Sequence, residues 1–264
     1  MRPLVLLSND DGYESKRLRV LRGVLLGWAD VVVVAPATEQ SATSHSLSLN
    51  RPLRAREMEP GIFYVDGTPA DCVYVALHGG TRFLPRWPDL IVSGINRGLN
   101  LGQDAFYSGT VAAAREGALR GIPAIASSAA VKADRVRVAE LTSTLAKSLL
   151  ADSETAASPK RPGLIRAKKT PLLNLNVPEQ WTGEVRRTRL GARLYEEVID
   201  VRKDPRGREY MWLGGPGVRH ERDEGTDTDA YDDGAASITP LVLDLTCSAH
   251  SPLVDRLVST LPRS

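Results

Sequence analysis

Through the first 150 residues, short apolar runs alternate with stretches whose apolar residues recur at helical spacing. Residues 4–7 (LVLL) stop at Ser8-Asn9-Asp10-Asp11-Gly12 and read as a buried parallel strand. Leu18, Leu21, Val24, Leu25 and Trp28 follow a helical period, which predicts a helix over 17–28. The run VVVVA at 31–35, ended by Pro36, reads as a second strand. Residues 51–66 read as a small β excursion with GIFYV as one strand. Thr68 as N-cap and Pro69 at the first helical position open a helix through Leu77. A third core strand is expected at 89–93 (DLIVS) and an alanine-rich helix at 110–120, ended by Gly121. A fourth strand follows at 122–127 (IPAIAS), then a long amphipathic helix at 135–150.

This alternation predicts an α/β fold, a mostly parallel sheet with helices on both faces. Beyond it the texture changes. Residues 151–170 are rich in Ala, Ser, Pro, Lys and Arg and read as an exposed connection. PLLNLNVPE at 171–179 predicts one more strand. From 184 the chain shows short β-like runs broken by Gly and Asp, then an amphipathic helix at 251–261. The expected division is a core at 1–183 and a β-rich extension at 184–264. The extension lacks an evident core of its own, so it is expected to pack on a partner subunit.

Composition changes this picture little. Of 264 residues, 42% are hydrophobic and 25% charged, ordinary for a globular chain. A net charge of +2 gives no global field toward nucleic acid or membrane. Cys72 and Cys247 have no metal spacing and no disulfide framework, which fits reduced thiols in a cytoplasmic protein. No signal peptide is expected, and no apolar run approaches the ~20 residues that span a bilayer.

The chemistry is expected beyond the carboxyl ends of the strands, where open parallel sheets bind ligands. Asp10 and Asp11 sit there side by side. At about 4 Å and an effective dielectric near 20, two such charges repel by roughly 4 kcal/mol. A divalent cation would neutralise them and gain oxygen ligands, whereas the bland alternative is a charged turn. Asn9 and Gly12 permit the curl that convergence requires. In SGINRGLN (93–100), Gly94 and Gly98 allow close backbone approach, and Asn96 and Asn100 offer oxygens and N–H donors. Taken alone, that stretch reads better as an ordinary loop. Ser108-Gly109-Thr110 opens a helix, where unpaired N–H groups bind anions; a plain N-cap, worth about 1 kcal/mol, has the same geometry. Ser41 could offer a neutral oxygen to a metal or simply belong to a polar surface loop, and His45 reads as exposed.

Two stretches read as decoys. DEGTDTDAYDDG (223–234) fails the EF-hand pattern, because Tyr231 stands at a ligand position, and reads as a solvated loop. Lys160, Arg161, Arg166, Lys168 and Lys169 lack interleaved aromatics, so no stable nucleic-acid partner is expected. No Walker loop, G-x-G-x-x-G, H-E-x-x-H or G-x-S-x-G is present.

The blocks LLSNDDGY, VVVVAPATEQSATSHSLSL, GTPADCVYVAL, PDLIVSGINRGLNLGQDAFYSGTVAAAREGALRGIPAIASS, NLNVP and SITPL together resemble the SurE family of stationary-phase survival 5'/3'-nucleotidases. The resemblance implies a Rossmann-like core with a β-rich extension and a C-terminal segment exchanged between subunits of a homodimer or homotetramer. It implies a phosphomonoesterase acting on nucleoside monophosphates with one divalent cation per subunit, Mg²⁺ or Mn²⁺. By that resemblance the cation ligands are Asp10, Asp11, Ser41 and Asn96, and the phosphate pocket is Asn9, Gly94, Asn100, Ser108, Gly109 and Thr110. Asp10 or Asp11 would take the proton of the attacking water. A phosphoaspartate enzyme and a nucleotide-binding regulator without turnover are the rival readings. Three features depart from the family pattern: Glu14-Ser15-Lys16-Arg17 where Ala-Pro-Gly is frequent, His45 where Asn or a small residue is frequent, and the linker at 159–170.

Overall fold

β1 (Leu4–Ser8) is buried along its whole length, as a strand without apolar–polar alternation requires when both faces are covered. Its side chains split by the two-residue period: Val5 and Leu7 enter one core cluster, Leu4 and Leu6 the other. The computed structural model describes residues 2–152, 170–196, 199–214 and 217–261. The connection expected at 151–170, with its basic cluster, lies almost entirely outside them.

The chain continues through α1 (Lys16–Leu26), β2 (Asp30–Pro36), β3 (Ala55–Glu59), β4 (Ile62–Val65) and α2 (Pro69–His78). Next come β5 (Leu90–Arg97), α3 (Asp104–Tyr107), α4 (Gly109–Leu119), β6 (Ala124–Ala129), α5 (Arg135–Ala151) and β7 (Leu172–Val177). α2 starts as expected: Thr68 accepts from the Asp71 amide, Asp71 accepts from the Thr68 amide, and Pro69 fills the first turn. β4, β2, β1, β5, β6 and β7 are parallel neighbours, with β3 antiparallel at one edge. Leu18, Leu21 and Leu25 of α1 share the cluster of Val5 and Leu7 with Val138, Ala139 and Ala146 of α5. α2 and α4 cover the opposite face through Cys72, Val73, Ala76, Val111 and Ala113. The expected α/β class is thus observed.

Three expectations change. The third core strand does not stop at Ser93 but runs to Arg97, so Ser93–Asn96 is strand and not loop. Pairing with β6 continues past a register shift between Gly94 and Asn96, which keeps these backbone groups in the ladder. The later chain forms β8 (Val185–Arg187), β9 (Arg193–Tyr195), β10 (Ile199–Lys203), β11 (Glu209–Leu213), β12 (Val218–His220), α6 (Asp227–Asp232), β13 (Ala236–Pro240) and α7 (Ser251–Ser259). β13 pairs antiparallel with β7 and parallel with β8, so the nine-stranded sheet crosses the expected division at 183/184. Finally, the middle of the acidic stretch is no solvated loop: Thr226 caps α6, and Thr226, Asp227, Thr228 and Asp229 are all buried, while Asp223, Glu224, Asp232 and Asp233 stay exposed.

The β10–β11 hairpin and α7 differ from the rest. Ile199, Met211, Trp212, Leu213, Val254 and Val258 are all exposed. Among the described residues no helix is long and apolar enough to cross a membrane.

Candidate active site

The site grows from the carboxyl end of β1. Asp10 is only 5% exposed, and the Thr110 hydroxyl donates to its Oδ1. The Gln40 amide donates to the Asp10 carbonyl at 2.8 Å, which brings the loop after β2 over the acid pair. Gly109 makes the approach of α4 possible. A Cβ there would lie 2.8 Å from the Asp10 Cβ and 3.0 Å from the Pro69 Cγ. The Asn9 amide donates to the Gly12 carbonyl at 2.9 Å, and Gly12 takes a φ of +95° that side chains rarely adopt. This is the curl that lets Asp11 turn back toward Arg97, whose backbone and charge favour the ionised carboxylate.

Burial, more than mutual repulsion, sets the electrostatics. Desolvation pushes the Asp10 carboxyl up to about 6; the charge of Asp11 adds to the rise, and the Thr110 hydroxyl opposes it. Asp11 is raised as well, chiefly by burial, with the Arg97 backbone and the charges of Arg17 and Arg97 working against the rise. Buried Asn9 Oδ1, Asp11 Oδ2, Ser8 Oγ and Ser93 Oγ have no hydrogen-bond partner among the described residues. Ser8 and Ser93 face each other across the β1–β5 pairing, so these unmatched oxygens gather at one end of the sheet. Buried polar atoms are ordinarily paired. Unmatched carboxylate, amide and hydroxyl oxygens form a hard donor set of the kind Mg²⁺ and Mn²⁺ take. The residues present therefore fit a divalent cation.

The other sequence-predicted residues divide. Ser108 is the N-cap of α4 and accepts from the Val111 amide at 3.1 Å. Thr110 is turned onto Asp10. Asn100 is buried in a polar network: its amide donates to Ser128 Oγ at 2.8 Å, and its carbonyl accepts from Asn174 and Asn176. Gly94 serves strand packing, since a Cβ would lie 2.3 Å from the Ser127 carbonyl oxygen. The Asn96 amide, half-buried, donates to the Gly98 carbonyl at 3.2 Å. Ser41 is exposed, and its hydroxyl donates to Glu39 at 2.8 Å. Asn9, Asp10, Asp11, Ser108, Gly109 and Thr110 are thus assembled, whereas the Ser41 and Asn96 side chains are turned to local partners.

Some residues escaped the sequence reading. His45 is not exposed: its Nε2 lies 2.8 Å from Oε2 of buried Glu116, which also accepts from Arg120. Asp227 accepts from the Gly102 amide at 3.0 Å and the Gly191 amide at 2.8 Å. Gln103 and Arg193 exchange two bonds, and Asp104 accepts from Arg193 and Tyr195. The extension thereby grips residues 102–104, which lead into α4. Arg17 is buried although it lies outside the apolar period read over 17–28. Its spacing of four from Leu21 was the available signal.

The family model described as survival protein SurE matches residues 5–197. The chain belongs to the SurE family. A Sorangium cellulosum relative named 5'-nucleotidase SurE is 57% identical over 99% of this chain and 98% of its own. A Syntrophotalea carbinolica protein of the same name is 43% identical over 92% of each. The crystal structure of a SurE protein from Aquifex aeolicus aligns with a TM-score of 0.78 at 35% identity, covering 97% of this chain and 100% of that one. The SurE match spans both the acid pair and α4, and the alignment with the Aquifex aeolicus chain extends through most of the extension.

Proposed function

We propose that this SurE protein is a divalent-metal-dependent phosphomonoesterase that hydrolyses nucleoside monophosphates at the 5' or 3' position. The observation that carries this reading is the acid pair with its buried, unmatched oxygens, set against the N-terminus of α4. The names of the relatives, 5'-nucleotidase SurE, support the substrate class.

Asp10 and Asp11 would hold the cation, one per subunit, with Asn96 and Ser41 joining after release from Gly98 and Glu39. When bound, Mg²⁺ or Mn²⁺ supplies Lewis-acid polarisation of a phosphoryl oxygen and an acidified water. Thr110 orients Asp10 through its hydroxyl, so the carboxylate does not have to be aligned during the reaction. The eleven-residue helix α4 directs its positive end at the acid pair and favours the anionic group of the substrate there. A carboxylate of the pair accepts the proton of the attacking water. Asp11 Oδ2, without a partner among the described residues, is the oxygen suited to it.

The same reading includes a homodimer or homotetramer in which the C-terminal segment is exchanged. Exposed Met211, Trp212, Leu213, Val254 and Val258 support it, because apolar surface gathered on a hairpin and a helix is stabilised when a second chain covers it. The test is hydrolysis of a chromogenic phosphate ester and of a nucleoside monophosphate panel, with Mn²⁺ or Mg²⁺ and then with a chelator. Turnover that requires the cation is expected. Turnover untouched by the chelator, or none with any monophosphate, rejects the reading.

A further inference from the structure

Arg17 is the second residue of α1, a position from which a long cation usually reaches solvent. Here the residue as a whole is only 9% exposed, and its guanidinium is turned under the carboxyl ends of two strands. Nη1 donates to the Asn96 carbonyl at 2.9 Å and the Ala129 carbonyl at 3.1 Å. Nη2 donates to the Ala130 carbonyl at 2.9 Å and the Val131 carbonyl at 2.7 Å. One side chain therefore ties the end of β5 to the end of β6 and the turn after it. Among the described residues no carboxylate lies within 4.0 Å of it, and the charge that acts on it most is that of Asp11. The residue after Asn96 leads back to the acid pair, since the backbone and charge of Arg97 both favour the ionised form of the Asp11 carboxylate.

We infer that Arg17 is a positioning residue for the acid site, its guanidinium fork fixing the Asn96–Arg97 backbone against Asp11 so that the site meets a divalent cation in a preset frame. This inference rests on the metal-dependent reading above. The planar fork matters as much as the charge. A guanidinium offers five donors in fixed directions, whereas an ammonium offers three on a flexible stem and cannot span four carbonyls. A purely structural anchor for α1 would affect melting alone. A positioning residue alters cation affinity and turnover in protein that remains folded.

The experiment compares wild type with Arg17→Lys and Arg17→Ala. Mn²⁺ binding is measured by calorimetry without substrate, alongside kcat, KM and thermal melting. Loss of a group that orients a metal ligand typically costs about 10- to 100-fold in metal affinity or activity. That range is expected for Arg17→Ala in Mn²⁺ affinity and kcat, with KM changing less than about threefold, and added guanidinium ion restoring part of both. Arg17→Lys, the milder change for folding, is expected to keep the melting temperature nearer wild type and still lose affinity, because the charge remains but the fork does not. Arg17→Lys protein that is folded and matches wild type in Mn²⁺ affinity and kcat overturns the inference, whatever Arg17→Ala does. A wild type that turns over substrate and binds Mn²⁺ separates that failure from failure of the functional reading. A wild type that does neither removes both.

Discussion

Two acidic segments of this SurE chain show what burial alone does not decide. Asp10 and Asp227 are both buried, and burial raises both carboxyls above the usual range. Asp227 spends its two oxygens on the amides of Gly102 and Gly191, so its charge is matched within the fold. At the end of β1 the matching is incomplete. Asp10 has Thr110, but Asp11 Oδ2 and Asn9 Oδ1 have no partner among the described residues. A satisfied buried acid is a fastener, and an unsatisfied one is a place for a ligand. The acidic stretch at 223–234, which invites a calcium reading, is the fastener. Asp10-Asp11, which resembles a charged turn, is the site in the function proposed above.

The sharpest way to break this comparison is to neutralise each acid. Asp10→Asn is expected to lower kcat for nucleoside monophosphates by about 10³-fold or more, the scale of losing preorganised charge stabilisation in a reaction centre. Its melting temperature without added cation should not fall, because the charge it removes is costly to bury. Normal turnover in that variant would end the contrast. Asp227→Ala should behave in the opposite way. It orphans two buried amides and is expected to destabilise by about 2–4 kcal/mol in urea unfolding, while Mn²⁺ affinity of the folded protein stays close to wild type.

A pH series sharpens the same point. Asp10 titrates near 3.8 when unfolded and about 6 when folded. Between those values the folded chain keeps a proton that the unfolded chain has released. The contribution of Asp10 to stability therefore declines as pH rises from about 4 to 6, and the penalty is complete above 6, about 2–3 kcal/mol in all. A divalent cation that binds the carboxylate removes this penalty. Mn²⁺ should then raise the melting temperature more at pH 7.5 than at pH 5, and equal shifts at the two values would count against carboxylate ligation. The smallest effect belongs to Ser108, whose hydroxyl caps α4. Ser108→Ala is expected to cost about 1 kcal/mol of stability, measured by denaturant midpoint.

Much of the molecule could be read from local signals. The run at 4–7, the four valines at 31–34 and the Thr68-Pro69-Ala70-Asp71 cap carry their conformations in three or four neighbouring residues. The acid pair and the Ser108-Gly109-Thr110 helix start were visible for the same reason. Ser93–Asn96 was misread because glycine and asparagine signal a loop, whereas pairing with β6 holds the segment in the sheet. His45 was misread because its partner, Glu116, is 71 residues away. α6 was missed because Asp and Thr are weak helix formers; the Thr226 cap and the two glycine amides on Asp227 stabilise the segment from outside it.

The sequence by itself determined the α/β class, the positions of the core strands along the chain and the presence of two adjacent carboxylates at a strand end, since each follows from apolar spacing or neighbouring residue types. Only the tertiary structure decided that β13 returns to the main sheet, that Thr110 holds Asp10, and that Arg17 reaches the carbonyls of β5 and β6. These partners stand about 60 to 110 residues apart along the chain. A hydrogen bond has a direction and a reach of about 3 Å. Its partners are therefore set by how the layers pack, and no pattern of neighbouring residues contains that information.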